Sequence, residues 1–451
     1  MQRRQFFGTL AAVGTVNRSL IDRGVFPPLK THGQEGPVRG YQGTGAAADP
    51  ATAQNFEQIS ALNPGDLEAY FTEEKLRQAI DTTVSLQSAH FEVVAYNFPS
   101  WHPSPFMEKY FGKGWTEFDT LKHSRPLYPG HLFPKYPLWG YFNEADPEWA
   151  QREIDTASQF GIDVWMIDWY WHSGTMFYHE QLEEGFLKAP NRSRLKFAVM
   201  WANHHWKNVY PARSPDQAAT LLPQVHSEED TLKATDYCIE HYFHQPNYWR
   251  LGGRPVFAIF DLNLLLETFS AEGLKRLFDK MRERVAKAGL GDLHIQASHV
   301  YPRNDAALRD LGVDSATLYH TAGWTYGGRP PGGRTPYGEL ALASIRAWKE
   351  TAGKVGVPFF PDCPVGWDDS PRFGSRAHMV TERTPDQYER LLRAAQYFAA
   401  AQPPLGQQPK PIFLSAWNEW TEDHVLLPDT VFGYSYLEAV RRAFRTSPKA
   451  G

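Results

Sequence analysis

Apolar, β-branched runs punctuate the chain at residues 91–96, 162–167, 195–200, 255–260, 293–297, 315–318, 357–360 and 411–414. Each is continuous rather than alternating, which is how a strand buried on both faces of a parallel sheet reads. Helical spacing fills most of the intervals. Asp146-Pro147-Glu148 supplies an N-cap and a first-turn proline for a helix running to Gly161. Thr384-Pro385-Asp386-Gln387 is a capping box, and residues 274–288, 340–351 and 434–444 carry apolar positions at helical spacing. The interval 298–314 has room for only a short helix. Eight such units predict an α/β fold, a single-domain (β/α)8 TIM barrel spanning 86–446. No Gly-x-Gly-x-x-Gly turn follows any strand, which removes the main argument for a dinucleotide-binding sheet.

The region before the first strand reads differently. Arg3-Arg4 precedes an apolar stretch at 6–16 with no acid until Asp22, the order of a twin-arginine export signal over residues 1–30. It implies a periplasmic or extracellular protein, with Ala46-Ala47-Ala48 as a rather distant small-residue site for cleavage. Residues 31–85 read as a Gly/Ala/Pro-rich linker and a lead-in with a short helical pattern at 72–80. Neither the leader nor any later stretch is long enough to span a membrane in the mature chain. With 46 basic and 51 acidic residues, net −5 and no long run of either sign, the chain has no electrostatic footprint for nucleic acid. Its two cysteines, Cys238 and Cys363, form no Cys-x-x-Cys; one bridge between them is left open.

In a barrel, chemistry sits just beyond the C-terminal ends of the strands. Those positions hold Asn97, with Trp101-His102 nearby; Asp168-Trp169-Tyr170-Trp171-His172; Trp201-Ala202-Asn203-His204-His205-Trp206; Asp261; Ser298-His299; Tyr319-His320; Asp362, with Trp367-Asp368-Asp369 beyond; and Trp417-Asn418-Glu419-Trp420-Thr421-Glu422. Every strand passes from apolar to polar plus aromatic. Carboxylates, amides and imidazoles among rings suit a carbohydrate, whose hydroxyls hydrogen-bond while its C–H faces stack. Aromatic residues make up 14% of the chain, including 15 Trp, which supports that partner. Glycoside cleavage needs two carboxyl groups, and Glu419 and Glu422 are the best pair. The candidate substrate-binding set is Tyr96, Glu117, Asp168, Trp169, Tyr170, Trp171, Trp201, Asn203, His204, Trp206, Asp261, His299, Trp367, Asp368, Asn418 and Trp420, with Trp165 assigned to the core. The long connection 97–146 has no clear helix and reads as a folded wall of the cleft; Glu117 within it is either a cleft carboxylate or a rim salt bridge. No cofactor is expected. Asp168, His204, His205, His299 and His320 could ligate a metal, but no His-x-x-x-His or His-Glu-x-x-His spacing occurs, and no Gly-x-Ser-x-Gly elbow supports Ser-His-Asp chemistry.

Several blocks in fixed order resemble the glycoside hydrolase family 99-like proteins, including the WbsX-type group found among polysaccharide genes. They are Tyr96-Asn97-Phe98-Pro99-Ser100-Trp101-His102-Pro103, Gly112-Lys113-Gly114-Trp115-Thr116-Glu117, Gly161-Ile162-Asp163 with Trp169-Tyr170-Trp171, Trp201-Ala202-Asn203 with Trp206, Gly366-Trp367-Asp368-Asp369-Ser370-Pro371-Arg372, and Ala416-Trp417-Asn418-Glu419-Trp420-Thr421-Glu422 before Leu427-Pro428-Asp429. The resemblance implies a (β/α)8 barrel and, for endo-acting members, retaining cleavage of α-mannosidic linkages. It implies that Glu419 is a base on the sugar 2-hydroxyl, on the way to a 1,2-anhydro intermediate, and that Glu422 is the general acid and then base. Thr421 stands where those mannosidases have His, and His204 where WbsX-type chains commonly have Glu; both positions are expected to face sugar. The competing functional readings are a glycan-binding barrel without catalysis and a glycosyltransferase of surface-polysaccharide assembly. Retention of both glutamates speaks against the first, and the export signal and the absence of an Asp-x-Asp at a strand end against the second.

Overall fold

The computed structural model describes residues 90–211, 218–300, 308–319, 332–403, 405–406 and 408–445. The export-signal and linker expectations, the helical pattern at 72–80 and His320 lie outside the described residues. Eight parallel strands form one barrel: β1 (Phe91–Asn97), β2 (Val164–His172), β3 (Lys196–Trp201), β4 (Arg254–Ile259), β5 (His294–Ala297), β6 (Ser315–Thr317), β7 (Phe359–Phe360, resuming as Asp362–Pro364) and β8 (Lys410–Ser415). Neighbours in sequence are neighbours in the sheet. The ring closes because β7 pairs with β6 through its first part and with β8 through its second, Ala316 opposite Phe359 and Asp362 opposite Phe413. Pro361 divides the two parts because it has no N–H to give to a ladder, yet its carbonyl accepts from Phe413 N–H at 2.8 Å.

All eight expected strands are present, each displaced by only a few residues at its ends. The outer layer includes α1 (Pro147–Phe160), α2 (Glu228–Cys238), α3 (Ala271–Lys287), α4 (Tyr337–Ala352), α5 (Pro385–Ala401) and α6 (Ser435–Phe444). Local chemistry sets their ends. The Asp146 side chain accepts from Glu148 N–H at 2.9 Å to start α1, and Gly161 ends it at φ +95°, a conformation that favours glycine. Thr384 and Gln387 form the reciprocal box that opens α5.

Three elements depart from the sequence reading. The connection 97–146 contains two short helices, Pro105–Phe111 and Phe118–Lys122, too brief for a periodic signal. Polar α2 is started by Ser227, whose hydroxyl accepts from Asp230 N–H at 3.2 Å. β2 runs five residues past Ile167, since its aromatic-rich end forms a hairpin with Thr175–Phe177. Cys238 and Cys363 are both buried free thiols, so the possible bridge between them is not made. No helix among the described residues is long and apolar enough to cross a membrane.

Candidate active site

The two glutamates occupy one small hairpin beyond β8. Asn418–Glu419 pairs antiparallel with His424–Val425, and a single turn, Trp420–Glu422, joins them. Asp423 closes the turn in the left-handed region at φ +54° and is anchored twice, to Arg383 and to Lys135 Nζ at 2.8 Å. The turn brings Glu419, Glu422 and His424 together, with one carboxylate oxygen or ring nitrogen of each within 4.8 Å of the others. Asn418 ties this hairpin to the first strand: its Oδ1 accepts from Phe98 N–H at 2.7 Å, and its Nδ2 donates to Phe98 O at 2.9 Å and Glu144 Oε1 at 2.6 Å.

Other strand ends supply the partners. The Tyr319 hydroxyl, just beyond β6, donates to Glu419 Oε2 at 2.8 Å and lies 3.4 Å from Asp168 Oδ2, midway along β2. Glu422 is ion-paired with Arg372, whose guanidinium also holds Glu117. The Thr421 hydroxyl donates to that same Glu117 oxygen. Exposure separates lining from support: Glu419, Glu422, Asp168 and Tyr319 keep 5, 6, 5 and 8% of their surface, against 0% for Glu117 and Thr421 and 1% for Arg372. Behind them, His131 Nε2 meets Asp368 Oδ2 at 2.6 Å, and Asp368 N–H donates to Glu422 O at 2.6 Å.

Burying so many acids costs solvation of the charged form, and each responds by holding its proton more tightly. Burial pushes Glu419 up to about 7 against the opposing pull of Arg372 and the Tyr319 hydroxyl. Burial, then the charge of Glu419, pushes Glu422 well above the ordinary carboxyl range; Asp168 is raised for the same two reasons. Burial also lowers His424 to about 3, leaving its ring neutral. Glu419, Glu422 and His424 are the one ligand-type cluster among the described residues. Arg372 reaches Glu422 while shared with Glu117, and the Tyr319 hydroxyl bonds Glu419, so both carboxyl groups of the cluster are already engaged by the protein's own donors.

The sequence-predicted residues divide by the alternation of side chains along each strand. On the inner side, Tyr170 meets Trp206 edge-on at 5.0 Å, Phe260 lies between His299 at 4.8 Å and His204 at 5.4 Å, and Tyr96 packs on Tyr319 at 4.4 Å. Trp169 and Trp171 alternate with Asp168 and Tyr170 and so face outward, against Tyr237 of α2 at 6.2 and 5.7 Å. Trp201 shares their register, its Nε1 donating to Trp171 O at 2.9 Å. These three tryptophans join the barrel to its helices rather than lining the mouth. Asn203 and Asp261 are committed to each other, Nδ2 to Asp261 O and Asp261 N–H to Oδ1, both at 2.9 Å. Trp420 and Asn418 are fully buried, and Trp367 packs at 5.5 Å on His424. Thr421 is turned away from the mouth towards Glu117, contrary to the expectation that it faces sugar. Trp165 lies in the core between Phe186 and Trp417. Tyr319 and Arg372 were not singled out as site residues; the signals were the strand-end position of the first and the Gly366-to-Arg372 block around the second.

A parallel eight-stranded barrel ringed by helices, with clustered acids beyond its last strand, is a (β/α)8 TIM barrel. The chain belongs to the family described as Glycosyltransferase WbsX, which matches residues 93–329 and 332–440. Curated relatives are the uncharacterized protein WxcX of two strains of Xanthomonas campestris pv. campestris. Both are 26% identical to this chain, over 387 residues (82% of this chain, 52% of the relative) in strain B100 and over 373 residues (79% and 50%) in strain ATCC 33913. The chain thus spans about half the length of the curated relatives it matches. Among solved structures, the family 99 endo-α-mannosidase of Bacteroides thetaiotaomicron in complex with bis-tris-propane is similar at a TM-score of 0.51 and 14% identity, covering 79% of this chain and 98% of that one. A glycoside hydrolase-like protein is similar at a TM-score of 0.50 and 15% identity, covering 80% and 95%. At such identities the likeness establishes the fold.

Proposed function

We propose that this protein is a retaining glycoside hydrolase acting on α-linked glycans, with Glu419 and Glu422 as its catalytic pair. The observation that carries the reading is the approach of their carboxylate oxygens to within 4.8 Å at the barrel mouth. Glu422, held protonated by its surroundings, donates to the departing glycosidic oxygen. Glu419 takes the proton of the sugar 2-hydroxyl as O2 closes on C1 and the C1–O bond breaks. Water then opens the 1,2-anhydro sugar at C1, giving its proton to Glu422, while Glu419 returns its own to O2. The inner aromatic wall of Tyr170, Trp206 and Phe260 suits the C–H faces of the ring. An α-mannosidic, endo-acting substrate is the finer form of this proposal, supported by the resemblance at Glu419-Trp420-Thr421-Glu422; export is proposed separately, from the Arg3-Arg4 pair before an apolar stretch.

A second reading, glycosyl transfer in surface-polysaccharide assembly, is favoured by the family's description. The same site serves it if a sugar hydroxyl replaces water in the second step. The test is a screen of α-linked oligosaccharides and intact polysaccharides with wild type, Glu419→Gln and Glu422→Gln, reading hydrolysed and transferred products separately. Loss of about 10²–10⁴-fold in either variant is expected. Comparable rates in both variants overturn the catalytic assignment, and tight binding by wild type without turnover favours a glycan-binding barrel.

A further inference from the structure

Glu117 was read from the sequence as a group that touches substrate or forms a rim salt bridge; it does form a salt bridge, with Arg372, but fully buried beneath the rim. One of its oxygens accepts from three donor atoms, Nε and Nη2 of Arg372 and the hydroxyl of Thr421. The remaining arm of the same guanidinium, Nη1, reaches Glu422. One cation is therefore divided between a carboxylate that sees the mouth and another that does not. The fork geometry of arginine permits this, because its N–H groups point in fixed, separate directions.

We propose that Glu117 and Arg372 are positioning residues that set the acidity of Glu422, Glu117 by withholding part of the Arg372 charge from it. The inference rests on the assignment of Glu422 as the acid group. Because Arg372 also serves Glu117, Glu422 receives a hydrogen bond without the whole of the guanidinium charge. Such a site keeps its proton at neutral pH and still holds the carboxyl in one orientation. If Glu117 were absent, Arg372 would serve Glu422 alone and favour its ionised form. Thr421 acts in the opposite sense, since its hydroxyl bears part of the negative charge of Glu117 and so lightens the demand of Glu117 on Arg372.

The other groups around Glu422 are fixed by separate partners. Glu419 is bonded to Tyr319, Asp368 to His131, and Asp369 accepts from His378 N–H at 2.9 Å. Asp168 lies beyond Tyr319, His424 is neutral, and the Arg372 guanidinium stands over the Tyr210 ring, 6.0 Å from its centroid. None of them bonds the Arg372–Glu117 pair through a charged group, so the division of that guanidinium is the variable that mutation can reach.

The test needs no substrate. The full chain labelled with ¹³C at glutamate carboxyls is titrated by NMR, with the Glu422 signal assigned by its loss in Glu422→Gln. Glu117→Gln, nearly isosteric, is expected to move the Glu422 midpoint down by about one pH unit or more, as for a carboxylate newly paired with arginine. Thr421→Val is expected to move it up. The pair of opposite shifts distinguishes charge division from a loosened fold, which would move both variants alike towards the ordinary range. An unchanged or raised midpoint in Glu117→Gln overturns the proposal. Opposite shifts in a protein that cleaves no glycan would uphold this inference and sink the hydrolase reading instead.

Discussion

The two ends of the barrel are built from the same apolar strands and handle charge in opposite ways. At the N-terminal floor, ionic groups are matched. Arg254 meets Asp314 at 2.7 Å and Asp292 at 3.3 Å, Arg282 meets Asp314 at 2.8 Å, and Glu92 is held by Lys196 and by Trp249 Nε1, the latter at 2.7 Å. Among the described residues at and just beneath the C-terminal mouth, Asp168, Glu117, Glu419 and Glu422 share one guanidinium and one phenol hydroxyl. A floor that pairs its charges is a structural solution, because an unpaired buried ion destabilises the fold. A mouth that leaves acids in surplus sacrifices stability and gains carboxyl groups that keep protons at neutral pH.

The contrast can be broken in order of expected effect. Glu422→Gln is expected to remove about 10²–10⁴-fold of kcat/KM on an α-linked substrate while leaving the urea midpoint unchanged or raised, since it deletes one acid from the surplus. At the floor, Trp249→Ala is expected to cost about 3–5 kcal/mol in urea unfolding and to leave the shape of the pH profile alone, since that ring is fully buried and bonded to Glu92. A profile that changes with Trp249 would mean that the two ends are coupled. For wild type, kcat/KM is expected to rise as pH increases through about 7, where Glu419 ionises, and to fall at higher pH as Glu422 loses its proton, the two limbs belonging to the pair jointly. A flat profile from pH 5 to 9 would contradict this.

The smallest effect concerns Asp163, the one floor acid that behaves like those of the mouth. Burial raises it to about 7, against the pull of the Val93 N–H it accepts at 2.9 Å. Because the folded value lies above the unfolded one of about 4, the contribution of this group to stability is complete below pH 4 and is lost as pH rises through 7. Asp163→Asn should therefore flatten stability against pH over that window, measured as urea midpoints at pH 4, 5.5 and 8. An unchanged slope would place Asp163 with the matched charges.

The barrel itself was legible because eight continuous apolar runs and their helix caps each carry local information. The candidate pair was legible because Glu419 and Glu422 lie close in sequence at the end of a strand. What was not legible was the direction of side chains. Trp169 and Trp206 look alike as strand-end rings, yet only the register of β2 with β3 tells that Trp169 points to Tyr237 while Trp206 meets Tyr170. Asn203 and Glu117 pose a related problem: a polar residue near a mouth can face a ligand or satisfy a neighbour, and the sequence does not show their contacts to Asp261 and Arg372. Tyr319 acquires its role from Glu419, 100 residues away, a relation no local pattern encodes.

The hairpin from Asn418 to Val425 carries both glutamates and is bolted down by Arg383 and Lys135 through Asp423. The rings that would grip a sugar come from other segments: Tyr170 from the end of β2, Trp206 from the stretch after β3, Phe260 from the end of β4. Chemistry and selectivity are thus inherited as separate parts. On the proposed glycosidase reading, substitutions in the grip would change which glycan is held without disturbing the reacting groups.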